Sequence, residues 1–194
     1  MNIGIDIDDT ITNSSDLFIK YARKFNKKYK VKYKINKYSL DSYNAFGWSK
    51  NLELKFKNEY LLSVLQNAKV NKNCVSVIKY MKRKGCKIFL ITARSDDELE
   101  GMYDISYTWL KKNHIKFDKL VINSKSKMID CKDNNIDLFF DDNVNTCVNI
   151  IKQLDIPTYV YSTRYNKDYK YNKVKNWKEI EKIFRKEMSI YEKK

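Results

Sequence analysis

The sequence predicts an α/β fold, a parallel sheet flanked by helices with a small, mainly helical cap inserted after the first strand. Three observations carry this. Short apolar runs alternate with amphipathic helical stretches, the signature of strands joined by right-handed crossovers. Several of those runs stop abruptly at polar groups, namely Asp6 and Asp8, Thr92, and Asp141 and Asp142. Between the first and second runs lies an interval of about sixty residues that reads as helices of its own.

Ile3-Gly4-Ile5-Asp6-Ile7-Asp8-Asp9-Thr10-Ile11 opens the chain. The run is apolar, β-branched and too short for a helix, so it reads as a buried parallel strand. Its acidic end then lies at the carboxyl edge of a sheet, where open α/β folds place ligands. Clustered carboxylates repel one another and lose hydration, and a cation is the usual reason they persist together. A solvated turn with a helix-capping Asp accounts for one of the three acids but not for all of them.

The next segment, 14–75, reads as the insertion, and 1–13 with 76–194 as the discontinuous core. Ser14-Ser15-Asp16 offers an N-cap to a helix whose apolar positions are Leu17, Phe18, Tyr21, Ala22 and Phe25. Val31, Tyr33 and Ile35 alternate with Lys, as an exposed strand or an extended linker. Tyr43, Phe46 and Trp48 follow in a polar stretch. They suit either stacking on a planar ligand or the core of the cap. A second helix is predicted from Ser49 to Leu65.

Order resumes with a helix near Asn73 to Lys84, stopped by Gly85. Lys87 to Ile91 is an apolar strand leading into Thr92-Ala93-Arg94. A helix carrying Met102, Trp109 and Leu110 follows, with Ser95 and Asp96 as caps. Leu120-Val121-Ile122 is a third strand, and Ser124 to Asn134 a short helix. Ile136 to Phe140 forms a fourth strand that runs into Asp141-Asp142-Asn143. A helix with Val144, Cys147 and Ile151 precedes a last strand, Pro157 to Tyr161. The tail is Lys- and Tyr-rich, then amphipathic from Trp177 to Phe184, with Asn176 and Glu179 spaced as a capping box.

Composition narrows the function classes. With 194 residues and 43% hydrophobic content, the chain can bury a sizeable core. No apolar run approaches the ~20 residues of a membrane span, and no secretory signal pattern opens it. Four scattered cysteines without a CxxC pair predict reduced, buried thiols and a cytoplasmic protein. A single histidine excludes a serine-type triad and a multi-histidine metal site. The net charge of +15 is spread along every segment and is mostly Lys, whereas nucleic-acid binders favour clustered Arg. Attraction to small anionic substrates fits better than dedicated nucleic-acid binding.

In a parallel sheet the polar strand ends share one edge, so distant acids converge. Three carboxylates, a Thr hydroxyl and a Lys suit Mg²⁺ shared with a phosphate, and phosphoryl transfer is chiefly alignment and charge neutralisation. Asp6-Ile7-Asp8-Asp9-Thr10 fits DxDxT, and Ile88 to Thr92 fits a strand ending in Thr. Lys127 heads a helix upstream of Phe139-Phe140-Asp141-Asp142, with Lys125 a competitor in Ser-Lys-Ser-Lys. In this order these segments resemble the four motifs of the haloacid dehalogenase superfamily of Rossmann-like phosphatases. Thr92-Ala93-Arg94 and the short insertion are similar to its cytosolic deoxyribonucleotidase-type branch. The resemblance implies a Mg²⁺-dependent phosphomonoesterase acting on nucleoside monophosphates. Asp6 would be nucleophile and metal ligand, and Asp8 the general acid and base whose backbone carbonyl also meets the metal. Thr92, Ala93, Arg94 and Thr10 would bind substrate, with Tyr43, Phe46 and Trp48 as the aromatic contacts. Lys127 would neutralise charge, and Asp141 and Asp142 would complete the metal shell. A sugar phosphate or other small metabolite is the alternative substrate, and a basic nucleic-acid-binding module on an inactive core the alternative of another class. A homodimer is compatible with the chain.

Overall fold

The computed structural model describes residues 1–33, 36, 39 and 45–193. Six strands form one parallel sheet: β1 (Asn2–Ile5), β2 (Lys87–Ile91), β3 (Lys119–Val121), β4 (Leu138–Asp141), β5 (Thr158–Tyr161) and β6 (Lys173–Val174). Their order is β3-β2-β1-β4-β5-β6. The seven helices among the described residues are α1 (Ser14–Lys28), α2 (Lys50–Asn67), α3 (Cys74–Arg83), α4 (Met102–Lys112), α5 (Lys127–Asp133), α6 (Val144–Leu154) and α7 (Trp177–Tyr191). The architecture is a Rossmann-like α/β fold.

Strand order places the chemistry. β1 is central, with β2 on one side and β4 on the other, in register through Ile5↔Leu90 and Ile5↔Phe140. The connections run outwards from β1 in both directions, so its carboxyl end is the switch point where such sheets form a crevice. Ile3, Ile5 and Ile7 are fully buried there. Gly4 is required by packing: a Cβ built on it would lie 2.5 Å from Phe139 Cδ2 and 3.2 Å from Ile136 Cγ2.

Two features depart from the sequence reading. β6 was not anticipated; its two residues pair with β5 through Val160↔Lys173 and Tyr161↔Val174, too short a stretch to leave a period in the sequence. At the start of α1 the capping group is not Ser14, Ser15 or Asp16. Asn13 holds the cap position without a side-chain bond, and Asp9 Oδ1 instead accepts the Ser15 N–H at 2.8 Å. Asp9 can reach back because its backbone is left-handed, φ 58°, a conformation Asp tolerates better than most residues. At α7 the expected cap forms: Asn176 Oδ1 accepts from Lys178 and Glu179 N–H.

Two main apolar clusters are distinct. The larger wraps the sheet with α3 and α7, and includes Ala68 and Cys74. The other lies among α1, α2 and residues 45–48, and contains Ala22, Phe25, Phe46, Trp48, Phe56 and Val64. The two chain crossings between these regions pair with each other as a bridge, Thr12↔Val70. Asn13 N–H donates to the Lys69 carbonyl and Asn71 N–H to the Ile11 carbonyl. All four cysteines are buried and unpaired, and no helix among the described residues is long and apolar enough to cross a membrane.

Candidate active site

Asp6 is the first residue beyond β1, held where its N–H donates to the Phe140 carbonyl of β4 at 2.9 Å. It is 4% exposed, and Asp141 at the end of β4 is wholly buried. Lys127, the first residue of α5, reaches both: its Nζ donates to Asp6 Oδ1 at 2.5 Å and to Asp141 Oδ2 at 2.7 Å. Lys125, by contrast, points away to an exposed pair with Asp97 at 3.0 Å. The two lysines of Ser-Lys-Ser-Lys are thus separated by geometry, with Lys127 at the acids.

These groups line one cavity of about 980 Å³ that also takes in Asp8, Thr92, Ala93 and Arg94. Thr92 is 1% exposed, and its Oγ1 accepts the Arg94 N–H at 3.3 Å, which leaves its own proton to donate. Asp8 meets Arg94 in a two-pronged ion pair: Nε to Oδ2 at 2.7 Å, Nη2 to Oδ1 at 2.8 Å. Arg94 is fixed from behind by Ser106 Oγ at 3.1 Å. The Arg94 side chain is therefore spent on Asp8 rather than free for substrate.

Trp48 and Thr10 lie elsewhere than the motifs implied. Trp48 does not line the cavity; it is 1% exposed in the α1–α2 cluster, and its indole N–H donates to Asn26 Oδ1 at 2.8 Å. Its ring fills the interior of that cluster, which corrects its assignment as a substrate contact. Phe46 borders the cavity but is 2% exposed, stacked on Trp48 at 4.7 Å. Tyr43 lies outside the described residues. Thr10 is also buried, off the cavity: its hydroxyl donates to Asp142 Oδ1 at 3.5 Å, and its carbonyl accepts from Trp177 and Asn71 side chains. It braces the site instead of contacting substrate.

The structure adds residues the motifs did not reveal. After β5 the chain turns through Thr163, Arg164, Tyr165 and Asn166. The Tyr165 hydroxyl bridges Asp9 Oδ2, at 2.8 Å, and Asp142 Oδ2. Asn166 Nδ2 donates to the Asp142 and Tyr161 carbonyls, both at 2.8 Å, and its Oδ1 accepts the Thr163 N–H. A Tyr and an Asn in a Lys-rich tail carry no spacing signal, so sequence reasoning had nothing to select them by.

Electrostatics follow from burial. Loss of hydration, aided by repulsion from Asp141 and Asp8, outweighs Lys127 and raises the Asp6 carboxyl to about 7. Asp142 is driven well above the usual range by burial and by Asp141, Asp6 and Asp9. Asp8 goes the other way: burial raises it, but Arg94 more than compensates and holds it low. Burial works against charge on Lys127 as well, yet Asp141 and Asp6 keep it protonated.

Does this donor set fit a divalent cation? One oxygen each of Asp6, Asp141 and Asp142 can lie within 4.8 Å of the others. Hard carboxylate oxygens in that number leave room for waters and a phosphate oxygen, as Mg²⁺ requires. Seven acids and five bases line the cavity, an excess of two negative charges once all are ionised, and a cation would let Asp6 and Asp142 ionise against the shifts just described. A divalent cation balances that excess. The residues fit.

With the sheet order and these four elements in place, the fold is that of the haloacid dehalogenase-like hydrolases. A hydrolase of that kind from Streptococcus pneumoniae, SP0104, superposes with a TM-score of 0.71 at 12% identity, over 94% of this chain and 97% of its own. YfnB of Bacillus subtilis, whose crystal structure has magnesium bound, superposes at 0.62 with 10% identity over 95% and 98%. In sequence, the chain is 29% identical over 189 residues to YqfW of Bacillus subtilis (strain 168), whose name assigns it provisionally to the nucleotidases. That alignment spans 92% of this chain and 91% of YqfW. No family model matches the chain.

Proposed function

We propose that this protein is a Mg²⁺-dependent phosphomonoesterase that hydrolyses nucleoside monophosphates through an aspartyl-phosphate. The observation that carries the reading is Lys127 bridging Asp6 and Asp141 beside Asp142. A nucleophilic carboxylate and two further acids around one ammonium ion have little structural purpose unless a phosphoryl group and a cation meet there.

In this reading Asp6, Asp141 and Asp142 hold the cation, with the Asp8 carbonyl beside them. The bound cation supplies neutralisation of the charge that gathers when a phosphate dianion meets three carboxylates. Thr92 donates its hydroxyl proton to a phosphoryl oxygen and Lys127 offsets negative charge on the group in transfer. The phosphate dianion raises the Asp8 carboxyl against the hold of Arg94, so that Asp8 carries the proton the ester oxygen takes as an Asp6 oxygen attacks phosphorus and the ester bond breaks. Water then attacks phosphorus, Asp8 takes its proton, and the Asp6–phosphorus bond breaks to release phosphate. The region 14–75 acts as the cap over the site, Phe18, Phe46 and Leu61 giving the cavity its apolar wall. The nucleotide part of the proposal draws on YqfW by name and on that wall. Four buried thiols support a cytoplasmic location.

The test is phosphate release from a panel of nucleotides and sugar phosphates, with Mg²⁺ and with chelator. Turnover lost on chelation and in Asp6→Asn is expected. Hydrolysis of sugar phosphates alone would replace the substrate class. No hydrolysis by the metal-replete protein would overturn the enzymatic reading, and tight, steeply salt-dependent oligonucleotide binding would then favour a nucleic-acid module.

A further inference from the structure

Five basic side chains line the cavity, and four are matched by acids. Lys57 pairs with Glu53 and Glu98, Arg94 with Asp8, Lys125 with Asp97, and Lys127 with Asp6 and Asp141. Arg164 alone has no acidic partner among the described residues. Its side-chain hydrogen bond is from Nη1 to Ser15 Oγ at 2.5 Å, and its Cζ lies 5.2 Å from the centre of the Tyr165 ring. Its Nε is buried and meets no acceptor, and the neighbouring Thr163 hydroxyl is in the same condition. A buried donor without an acceptor is costly. Thr163 does not line the cavity, so of the two residues it is Arg164 whose guanidinium can meet a ligand there.

The backbone that carries Arg164 is over-constrained. Asn166 ties the loop to Asp142, Tyr161 and Thr163, and Tyr165 ties it to Asp9 and Asp142. A side chain presented from such a loop is positioned before anything binds, which lowers the entropy lost on recognition. Nη1 has a second N–H beside the one given to Ser15 and Nη2 has two, so the end of the guanidinium keeps a pair of parallel donors.

We propose that Arg164 is a specificity residue whose Nη1 and Nη2 grip a pair of adjacent acceptor atoms on the alcohol part of the substrate. This rests on the phosphomonoesterase reading and names the substrate class more closely: a phosphate monoester bearing a planar acceptor pair. Either a carboxylate or the O6/N7 edge of guanine presents that chemistry.

Matched substrates separate the two sources. The pairs are dGMP against dAMP, and phosphoglycolate against ethyl phosphate, with phenyl phosphate as a reference that lacks the acceptor pair. The wild type should favour the acceptor-bearing member of one pair by at least about fivefold in kcat/KM. Arg164→Ala and Arg164→Lys should both collapse that ratio towards one, because Lys keeps the charge but not the fork. The variants are compared by ratio, and their thermal melts confirm folding. Ser15→Ala, which removes the tether to α1 and a hydroxyl contact with Asp9, should keep the ratio. A wild type that turns over phenyl phosphate but prefers neither acceptor-bearing member would overturn the proposal. So would Arg164 variants that slow both members of a pair equally, the mark of a core-to-cap tether. Absence of turnover even on phenyl phosphate would sink the hydrolytic reading itself, and this proposal with it.

Discussion

Arg94 holds the carboxylate of Asp8 with two donors at 2.7 and 2.8 Å, although the residues are 86 positions apart. The Arg94 side chain is 4% exposed while that of Asp8 keeps 36% of its surface open. The arginine is therefore the fixed partner and the aspartate the one that faces the cavity. In the proposed mechanism Asp8 is the general acid and base; such a group must be aimed before it can act, and this pair aims it.

Arg94→Ala should therefore lower kcat by about 100-fold, within the range general acid–base catalysis supplies. The double variant with Asp8→Asn should be no slower than Asp8→Asn alone, since both changes remove one function. Steady-state kinetics of the three variants check this, and additive losses would refute it.

Tyr165→Phe removes one hydroxyl from two buried carboxylates, Asp9 and Asp142. Residues that orient metal ligands typically contribute 10–100-fold in affinity or activity. The Mg²⁺ concentration for half-maximal activity should rise by roughly that factor, read from activity against metal titration, with the far-ultraviolet spectrum unchanged.

Trp48→Ala empties the middle of the α1–α2 cluster and strips Asn26 of its indole partner. A loss of about 3–5 kcal/mol is expected, measured by chemical denaturation. Trp48→Phe, which keeps most of the volume, should leave KM within about twofold, because the indole does not line the cavity.

Gly4→Ala drives a methyl group into Phe139. It should cost about 1–3 kcal/mol, and Phe139→Leu in the same chain should recover part of it. Equal stability of the single variant and the wild type would show that β1 and β4 pack more loosely than described.

Asp118 gives the pH dependence of stability. Burial raises its carboxyl, but the hydrogen bond from Lys82 and the N–H of Ile88 outweigh it and hold it low. The bonds are 2.6 and 2.7 Å from Lys82 Nζ and 2.7 Å from Ile88 N. A depressed folded value means the unfolded chain takes up protons first as pH falls. The stabilisation is thus present above the unfolded value of about 4 and lost as pH drops through the lower folded one. Asp118→Asn should cost about 1 kcal/mol at pH 7, discounted for partial exposure. The gap to wild type should narrow on descending below about pH 4, followed by urea melts across pH 3–7.

Much of the site was legible because a parallel sheet converts chain order into place. An apolar run that stops at Asp6, another at Thr92 and a third at Asp141 must all end on one edge, whatever lies between them. The period of apolar residues likewise announced most helices, since each buries one stripe, α3 and α7 against the sheet and α1 and α2 against each other. Side-chain partnership is a different kind of information. Whether Arg94 meets a phosphate or Asp8, and whether Lys125 or Lys127 turns inward, depends on a rotation of a few residues that composition does not encode. Trp48 suited ligand or core equally well until the packing of α1 against α2 enclosed it. Asp9, Arg164, Tyr165 and Asn166 came into view only when the loop after β5 folded back over β1, more than 150 residues away. Local sequence set the strands, the helices and the edge where the acids converge; tertiary packing chose the partners, because a buried charge takes whichever neighbour best offsets its lost hydration.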